Sequence, residues 1–390
     1  MSHGASVCCW PRLYTDASII RSLASLDGSF SSSRAAIARL DRAIIVAGAA
    51  GEGRLDLILT LIRRIQTEFL SYTRDSFRTF SSRQMGDMLR LPPSNIPLKS
   101  SLHRIPALDP PPSFMAFQTT FNRSPLVLYK YASSWPAINE HPWSSASYLR
   151  FIAGPARMVP VEVGADYRAD DWTQQLMNWD DFLSTLELND YDLPTNLATP
   201  TAIGSKKVLY LAQHNLFMQF PDLRRDIVIP DYVYSCPQPP SDYPQYKPPG
   251  NDEQLVINGW LGPRGTISPA HTDPYFNIYV QIVGRKTIWL APPYVSEYMY
   301  AFDKNDVQAH DSSNPASNKA NPLTSNTSRV DVFTTVKDDD SPRRFPAFWT
   351  NVVPHAISTT LEPGDLLFIP PGWWHAMRAD ETSFSVSMWF

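Results

Sequence analysis

Residues 265–290 read GTISPAHTDPYFNIYVQIVGRKTIWL, and two features of this stretch decide how the rest of the chain is read. The first is His271 and Asp273, two positions apart in what reads as a strand, so that both side chains face one side. Charged groups inside a sheet are costly unless something compensates them, and a metal ion is one such compensation. Pro269 and Pro274 on either side remove backbone donors and stiffen the strand ends. The second feature is the period-two alternation on both sides of Gly284-Arg285, which predicts a hairpin with a two-residue turn. Val283 then faces Lys286, and Lys286 shares a face with Asn277, Tyr279 and Gln281. A lysine directed into a barrel needs an anion there, and a dicarboxylate is one; the ordinary alternative beside a turn is a lysine reaching solvent.

Distance limits how these two features combine. A straight strand from Asp273 to Val283 spans about 33 Å at ~3.3 Å per residue. Lys286 therefore serves the His271–Asp273 site only if the chain bends at Pro274-Tyr275-Phe276.

H-x-D alone is a weak pattern, and a third ligand strengthens it. His375 follows a Pro-Pro-Gly turn in LEPGDLLFIPPGWWHAMRADETSFSVSMWF, 104 residues beyond His271. That separation rules out a local zinc-finger loop and allows two distant strands of a barrel to meet. Two histidines and a carboxylate form a facial triad with open coordination positions, which suits non-haem Fe(II), although zinc accepts the same set. His3, His103, His141, His214, His310 and His355 have no acidic partner two residues on in a strand and read as surface or core histidines. Among these His214 is the strongest outsider.

Outward from this stretch the texture is that of many short strands. PLVLYKY, RMVPVEVG, KVLYLAQH, DLLFIPP and SFSVSMWF are separated by Pro, Gly, Asp and Asn, which predicts a sandwich or barrel. DDWTQQLMNWDDFLSTL reads as a helix interrupting them. Upstream, GRLDLILTLIRRIQTEFL reads as an amphipathic helix with Leu57, Leu61, Ile65 and Phe69 as its apolar stripe. SRAAIARLDRAIIVAGAAG reads as another helix, stopped by glycines. Prolines cluster between positions 92 and 113 as an extended connector, and residues 303–328 read as a long polar loop. The expected organisation is a helical region with its connector over 1–104 and a β domain over 105–390, with its core at 208–390.

Composition narrows the function classes. With 34 Lys+Arg against 38 Asp+Glu the net charge is −4, so no strong field draws the chain to nucleic acid or a membrane. Apolar residues at 43% and aromatics at 12% support a sizeable core. Three cysteines (Cys8, Cys9 and Cys236) make neither a disulfide framework nor a zinc motif. The N-terminus has no secretory pattern and no apolar run is long enough for a membrane span, so an intracellular protein, nuclear or cytoplasmic and not secreted, is expected. Asn122-Arg-Ser and Asn326-Thr-Ser match the glycosylation pattern and are read as chance.

The set H-T-D, NIYVQIVGRK and PPGWWH resembles the jumonji-C 2-oxoglutarate oxygenases of the cupin superfamily. YLAQHNLFMQFPDLRRDIVIPDY, INGWLGPRGTISPAHTDPYFN, NTSRVDVF and SFSVSMWF are similar to the jumonji-C-containing protein five group, also called lysine demethylase eight. The likeness runs from about Ile105 to Phe390, and CWPRLYTDASIIRSLASLD resembles fungal members. It implies a double-stranded β-helix, a cupin or jelly-roll barrel, preceded by the helical region. It also implies Fe(II) on His271, Asp273 and His375, with 2-oxoglutarate as cosubstrate and O₂ as oxidant. The distal cosubstrate carboxylate would be met by Lys286, Tyr210, Ser268 and Asn277, with Trp389 closing the pocket. Glu162, Gln213 and Trp260 fall where the group forms a substrate pocket, and an acid beside an indole suits a guanidinium. The resemblance thus implies a protein hydroxylase acting on arginyl side chains of a protein or peptide, with a histone N-methyl-lysine demethylase of the same family as the alternative. The alternatives are a catalytically silent cupin used as a binding module and, at lower weight, a zinc hydrolase or sugar isomerase.

Overall fold

In the computed structural model, residues 5–72, 98–164, 166, 168, 172–189, 208–302, 326–334 and 340–390 are described. The strands preceding the barrel are β1 His103–Arg104, β2 Ala107–Leu108, β3 Leu126–Leu128, β4 Met158–Val163, β5 Thr173–Asn178 and β6 Leu209–His214. The barrel itself is β7 Val256–Gly262, β8 Ile267–Thr272, β9 Asn277–Val283, β10 Lys286–Ala291, β11 Ile357–Leu361, β12 Leu366–Ile369, β13 Trp374–Ala379 and β14 Ser383–Trp389. These last eight form two facing sheets and change sheet at every step except β10 to β11, which pair with each other. One runs β11-β10-β13-β8 and is extended by β1; the other runs β12-β9-β14-β7 and is extended by β2 and β3 on one side and β6, β4 and β5 on the other. Every ladder among the eight is antiparallel.

Alternation along each strand fills three layers. On β9, Ile278, Val280 and Ile282 join Phe117, Phe368 and Phe384 behind the large sheet. On β10, Trp289 and Ala291 pack with Phe348 and Trp374 behind the small one. Between the sheets lie Tyr279, Ile288, Leu290, Leu361, Leu367 and Met377. Each fully buried Ile, Leu or Phe contributes about 1.5–3 kcal/mol, so the barrel is a stiff frame for whatever its interior holds.

The hairpin expected at Gly284-Arg285 does not form. Strands β9 and β10 lie in different sheets, and the glycine marks a corner between them. Gly284 has φ +67°, and a Cβ there would stand 2.1 Å from Thr382 O, so only glycine fits. The chain also turns at 273–276, between β8 in one sheet and β9 in the other. Two corners replace one straight run. The expected sharing of a face survives because both strands send alternate residues into the same interior.

Among the described residues three helices come before the first strand: α1 Ala5–Ala24, α2 Phe30–Ala47 and α3 Arg54–Phe69. Helix α2 is capped by Ser29, whose side chain accepts from Ser32 N, and stops at Gly48 in the left-handed conformation, as the sequence predicts. On α3 the buried side is Ile58, Ile62, Ile65 and Gln66: Ile65 is buried as expected, while Ile58, Ile62 and Gln66 lie one position on from Leu57, Leu61 and Ile65, and Leu57 is 43% exposed. Gln66 belongs to that buried side because its side-chain Nε2 donates to Ala153 O and Pro155 O at 3.1 and 2.8 Å. The helices are tied to the β domain by a buried ion pair. Arg157 Nη2 lies 2.7 Å from Asp41 Oδ1 with both side chains almost fully enclosed, and Gln219 Nε2 and Met158 N also donate to that carboxylate.

The stretch 170–186, expected as a helix, divides in two. Residues 173–178 form β5 against β4, and only Trp179–Leu183 is helical. Asn178 caps that short helix, accepting from Asp180 N and Asp181 N, which fixes where strand gives way to helix. Of the expected loop, residues 303–325 lie outside the described residues. Among the described residues no helix is long and apolar enough to cross a membrane.

Candidate metal centre and cosubstrate pocket

His271, Asp273 and His375 converge. One ligand atom from each lies within 4.8 Å of the others, and among the described residues this is the group of histidine, cysteine and acidic side chains that could hold a metal ion. The β8–β13 ladder places His271 opposite His375, with ring centroids 4.2 Å apart. Asp273 Oδ2 is 3.5 Å from His375 Nε2, and its Oδ1 is 3.9 Å from His271 Nε2. Both imidazoles are aimed by a carbonyl two residues back in the chain. His271 Nδ1 is 2.8 Å from Pro269 O and His375 Nδ1 is 3.1 Å from Trp373 O. A carbonyl only accepts, so each Nδ1 carries the proton and each Nε2 turns a lone pair to the common point.

The electrostatics suit a cation. Burial, reinforced by the neighbouring His375, pushes the His271 pKa down to about 4, so this ring is neutral. Burial opposes ionisation of Asp273, but the hydrogen bond and charge of His375 outweigh it and hold the carboxyl below its usual range. His375 is likewise held above its usual value, the Asp273 carboxylate overcoming the effect of burial. A carboxylate and two imidazole lone pairs facing one point are a donor set that accepts Fe(II), and a proton on His375 Nε2 occupies the place a metal would take.

A second polar group lies deeper in the barrel. Lys286 is 2% exposed, and its Nζ donates to Tyr279 OH at 2.8 Å and Tyr210 OH at 3.4 Å. Tyr210 is hydrogen-bonded in turn to Ser268. No carboxylate pairs with this lysine among the described residues, and burial alone pushes its pKa down to about 7. Asn277 Oδ1, Trp389 Nε1 and Asn258 Nδ2 are also buried without a hydrogen-bond partner. Asn277 and Trp389 face each other across the β9–β14 ladder. An ammonium with no anion and three orphaned polar atoms are what an interior leaves when it is built around a polar ligand.

The cupin-like domain family matches residues 111–390. The chain belongs to this family, in its jumonji-C branch. Lysine-specific demethylase 8 of Danio rerio is 31% identical over 98% of this chain and 81% of its own length. Jumonji C domain-containing protein 5 of Drosophila melanogaster is 35% identical over 73% of this chain and 59% of its own. For lysine-specific demethylase JMJ30 of Arabidopsis thaliana the figures are 32%, 68% and 50%. Apart from the fish protein, then, the chain spans little more than half of these relatives. Jumonji-C proteins named as demethylases are 2-oxoglutarate-dependent dioxygenases, and this jumonji-C chain carries residues that fit both the iron and the cosubstrate.

The remaining expected residues divide. Ser268 shares the interior with His271 although three positions separate them, because a bulge shifts the β8 register between the His375 and Met377 pairings. Asn277 lies two residues along β9 from Tyr279, on the same face, with its Oδ1 buried and unpartnered among the described residues. Glu162 faces Tyr210 across the β4–β6 ladder, and Trp260 lies 6.2 Å from Tyr210 between ring centroids. Burial raises the Glu162 pKa, against hydrogen bonds from Trp172 and Gln174. Gln213 is exposed, with φ +46°, where β6 slips register against β7. Nothing bonds it to Glu162 or Trp260. His214 is absorbed elsewhere: its Nε2 is 2.6 Å from Gln219 Oε1, beside Asp41.

Tyr279 was missed as a site residue, although its parity with Asn277 and Lys286 placed it on the same face. Asn258 had no signal beyond its position on β7. Lys286 gives a prediction with a sign. Below pH 7 its ammonium is intact; above that it is a neutral amine that must recapture a proton to pair with a carboxylate. The dissociation constant for 2-oxoglutarate should therefore rise between pH 7 and 9, by at most about tenfold per unit. Lys286→Ala should weaken binding by about ten- to a hundredfold, a charge-assisted bond being worth ~1.5–3 kcal/mol, and flatten that pH dependence. Calorimetric titration across pH reads both.

Proposed function

We propose that this chain is an Fe(II)- and 2-oxoglutarate-dependent protein hydroxylase acting on arginyl side chains. The buried, anion-free Lys286 carries the cosubstrate part of the proposal, since a silent binding module or a zinc hydrolase has no use for an ammonium held between two tyrosines. In this reading His271, Asp273 and His375 hold the iron, and Lys286, with Tyr210, Tyr279 and Ser268, holds the distal carboxylate of 2-oxoglutarate. Asn277 and Trp389 border the cosubstrate nearer the metal ligands. When bound, iron and 2-oxoglutarate supply the oxidising power that converts a C–H bond to C–OH, with O₂ consumed and succinate and CO₂ released.

The chain's own residues choose the target. Glu162 is a half-buried carboxylate whose hydrogen bonds among the described residues come from neutral donors, an indole and an amide, so a cation is its natural complement. A guanidinium offers paired N–H groups to that carboxylate and a flat face to Trp260. His271 and Asp273 side chains are 18% and 16% exposed and His375 4%, so the substrate approaches from the His271–Asp273 side. Cys236 is a free, exposed thiol, which goes with the reducing interior of nucleus or cytoplasm.

The printed names of the relatives favour a second reading, removal of a methyl group from lysine. Mass separates the two. Arginine peptides incubated with the protein, Fe(II) and 2-oxoglutarate should gain one oxygen. Loss of a methylene from methyl-lysine peptides, with formaldehyde, and no oxygen gained on arginine would replace hydroxylation by demethylation.

A further inference from the structure

Strand β8, which carries His271 and runs into Asp273, is the edge of the smaller sheet, with β13 on its one paired side. Edge strands leave a row of N–H and C=O groups open, a poor way to hold two metal ligands still. Residues 326–330 cover that edge. Thr272 N donates to Asn326 O at 3.1 Å and Ser328 N to Ala270 O at 2.8 Å, and His271 and Thr327 form an isolated bridge. Asn326 adds a bond that backbone pairing does not: its side-chain Nδ2 donates to Thr272 O at 2.7 Å.

Thr272 stands between the two ligands. Its N–H belongs to the peptide plane shared with His271, and its C=O to the plane shared with Asp273. One residue, Asn326, therefore holds both planes. The brace is itself anchored: Thr327 and Ser328 are fully buried, Phe302 N donates to Thr327 O at 3.0 Å, and Ser328 Oγ donates to Met299 O at 2.5 Å. A sequence feature that resembled a glycosylation site is thus occupied in holding the strand.

We propose that Asn326 is a positioning residue for the metal centre, its side-chain amide keeping Asp273 aimed at the point shared with His271 and His375. This rests on those three residues being the metal ligands. The test is titration of the metal-free full chain with Co(II), whose visible bands report coordination geometry. Asn326→Ala should raise the Co(II) dissociation constant by about tenfold or more, as loss of a ligand-orienting bond does, and change the band pattern. Ser328→Ala removes the bond to Met299 from the same segment but leaves Thr272 held, and should stay within about twofold of wild type. Unchanged affinity and bands in Asn326→Ala, with binding lost in His375→Ala, would overturn the positioning role alone. Equal weakening in Asn326→Ala and Ser328→Ala would also overturn it, since that marks general loosening. Unchanged binding in His375→Ala would instead remove the triad beneath it. Should Asn326→Ala fail to fold, Asn326→Ser, too short to reach Thr272 O, replaces it with the same expectation.

Discussion

His375→Ala is expected to abolish iron retention and all succinate formation while leaving the barrel folded. His375 is one of three ligand atoms meeting within 4.8 Å, and without it the site keeps one imidazole and one carboxylate. Losing an outer-shell partner of a metal ligand already lowers affinity by about 10–100-fold, and losing a ligand should exceed that. The fold should tolerate the change because β13 is held by ladders to both β10 and β8 along its length. Asp273 loses its nearest partner in the variant, and its carboxyl pKa should rise toward and past the usual value, as burial then acts with less opposition. Metal analysis after desalting gives the result directly. A variant retaining one equivalent of Fe(II) would contradict the triad.

Arg157→Ala should cost about 3–5 kcal/mol of stability, the largest effect expected away from the metal centre. Arg157 donates through Nε and Nη2 to Asp41, and Asp41 is fully buried on α2. Removing the guanidinium leaves that carboxylate with only the neutral donors Met158 N and Gln219 Nε2. Such a loss is a large share of the 5–15 kcal/mol that holds an ordinary domain folded. Denaturant unfolding measures it; a loss below about 1 kcal/mol would show that water reaches the pair. Replacing both partners by apolar residues should restore much of the loss, because the burial penalty disappears with the charges. The same pair crosses the expected boundary at residue 104: a chain lacking α2 leaves Arg157 buried without its counter-ion.

The metal site was legible because ligand chemistry is local and its residue types are few. His271 and Asp273 share a face by strand parity alone, and a Pro-Pro-Gly turn marked His375. Which strands pair is a different matter. A Gly-Arg step reads the same at a hairpin as at a corner between sheets, since both need the left-handed backbone of Gly284. Ser268 was suggested by resemblance and not by parity, because one extra residue in β8 reverses its face. The α3 stripe slipped by one position where Gln66, a polar residue, took a buried place that periodicity reserves for apolar ones. Asp41 and Arg157 are far apart in the chain, and neither differs in sequence from a surface charge. The brace at 326–330 was hidden in the same way, since an asparagine held by its neighbour's carbonyl looks like any loop residue.

The central claim is that one metal ion and one dicarboxylate share the barrel interior, and a crystal grown with Mn(II), a redox-silent stand-in for Fe(II), and 2-oxoglutarate tests it most directly. The account predicts a single anomalous peak bonded to His271 Nε2, Asp273 and His375 Nε2, with the distal carboxylate on Lys286 Nζ. A peak bound elsewhere, or a cosubstrate that leaves Lys286 bonded only to its two tyrosines, would contradict it.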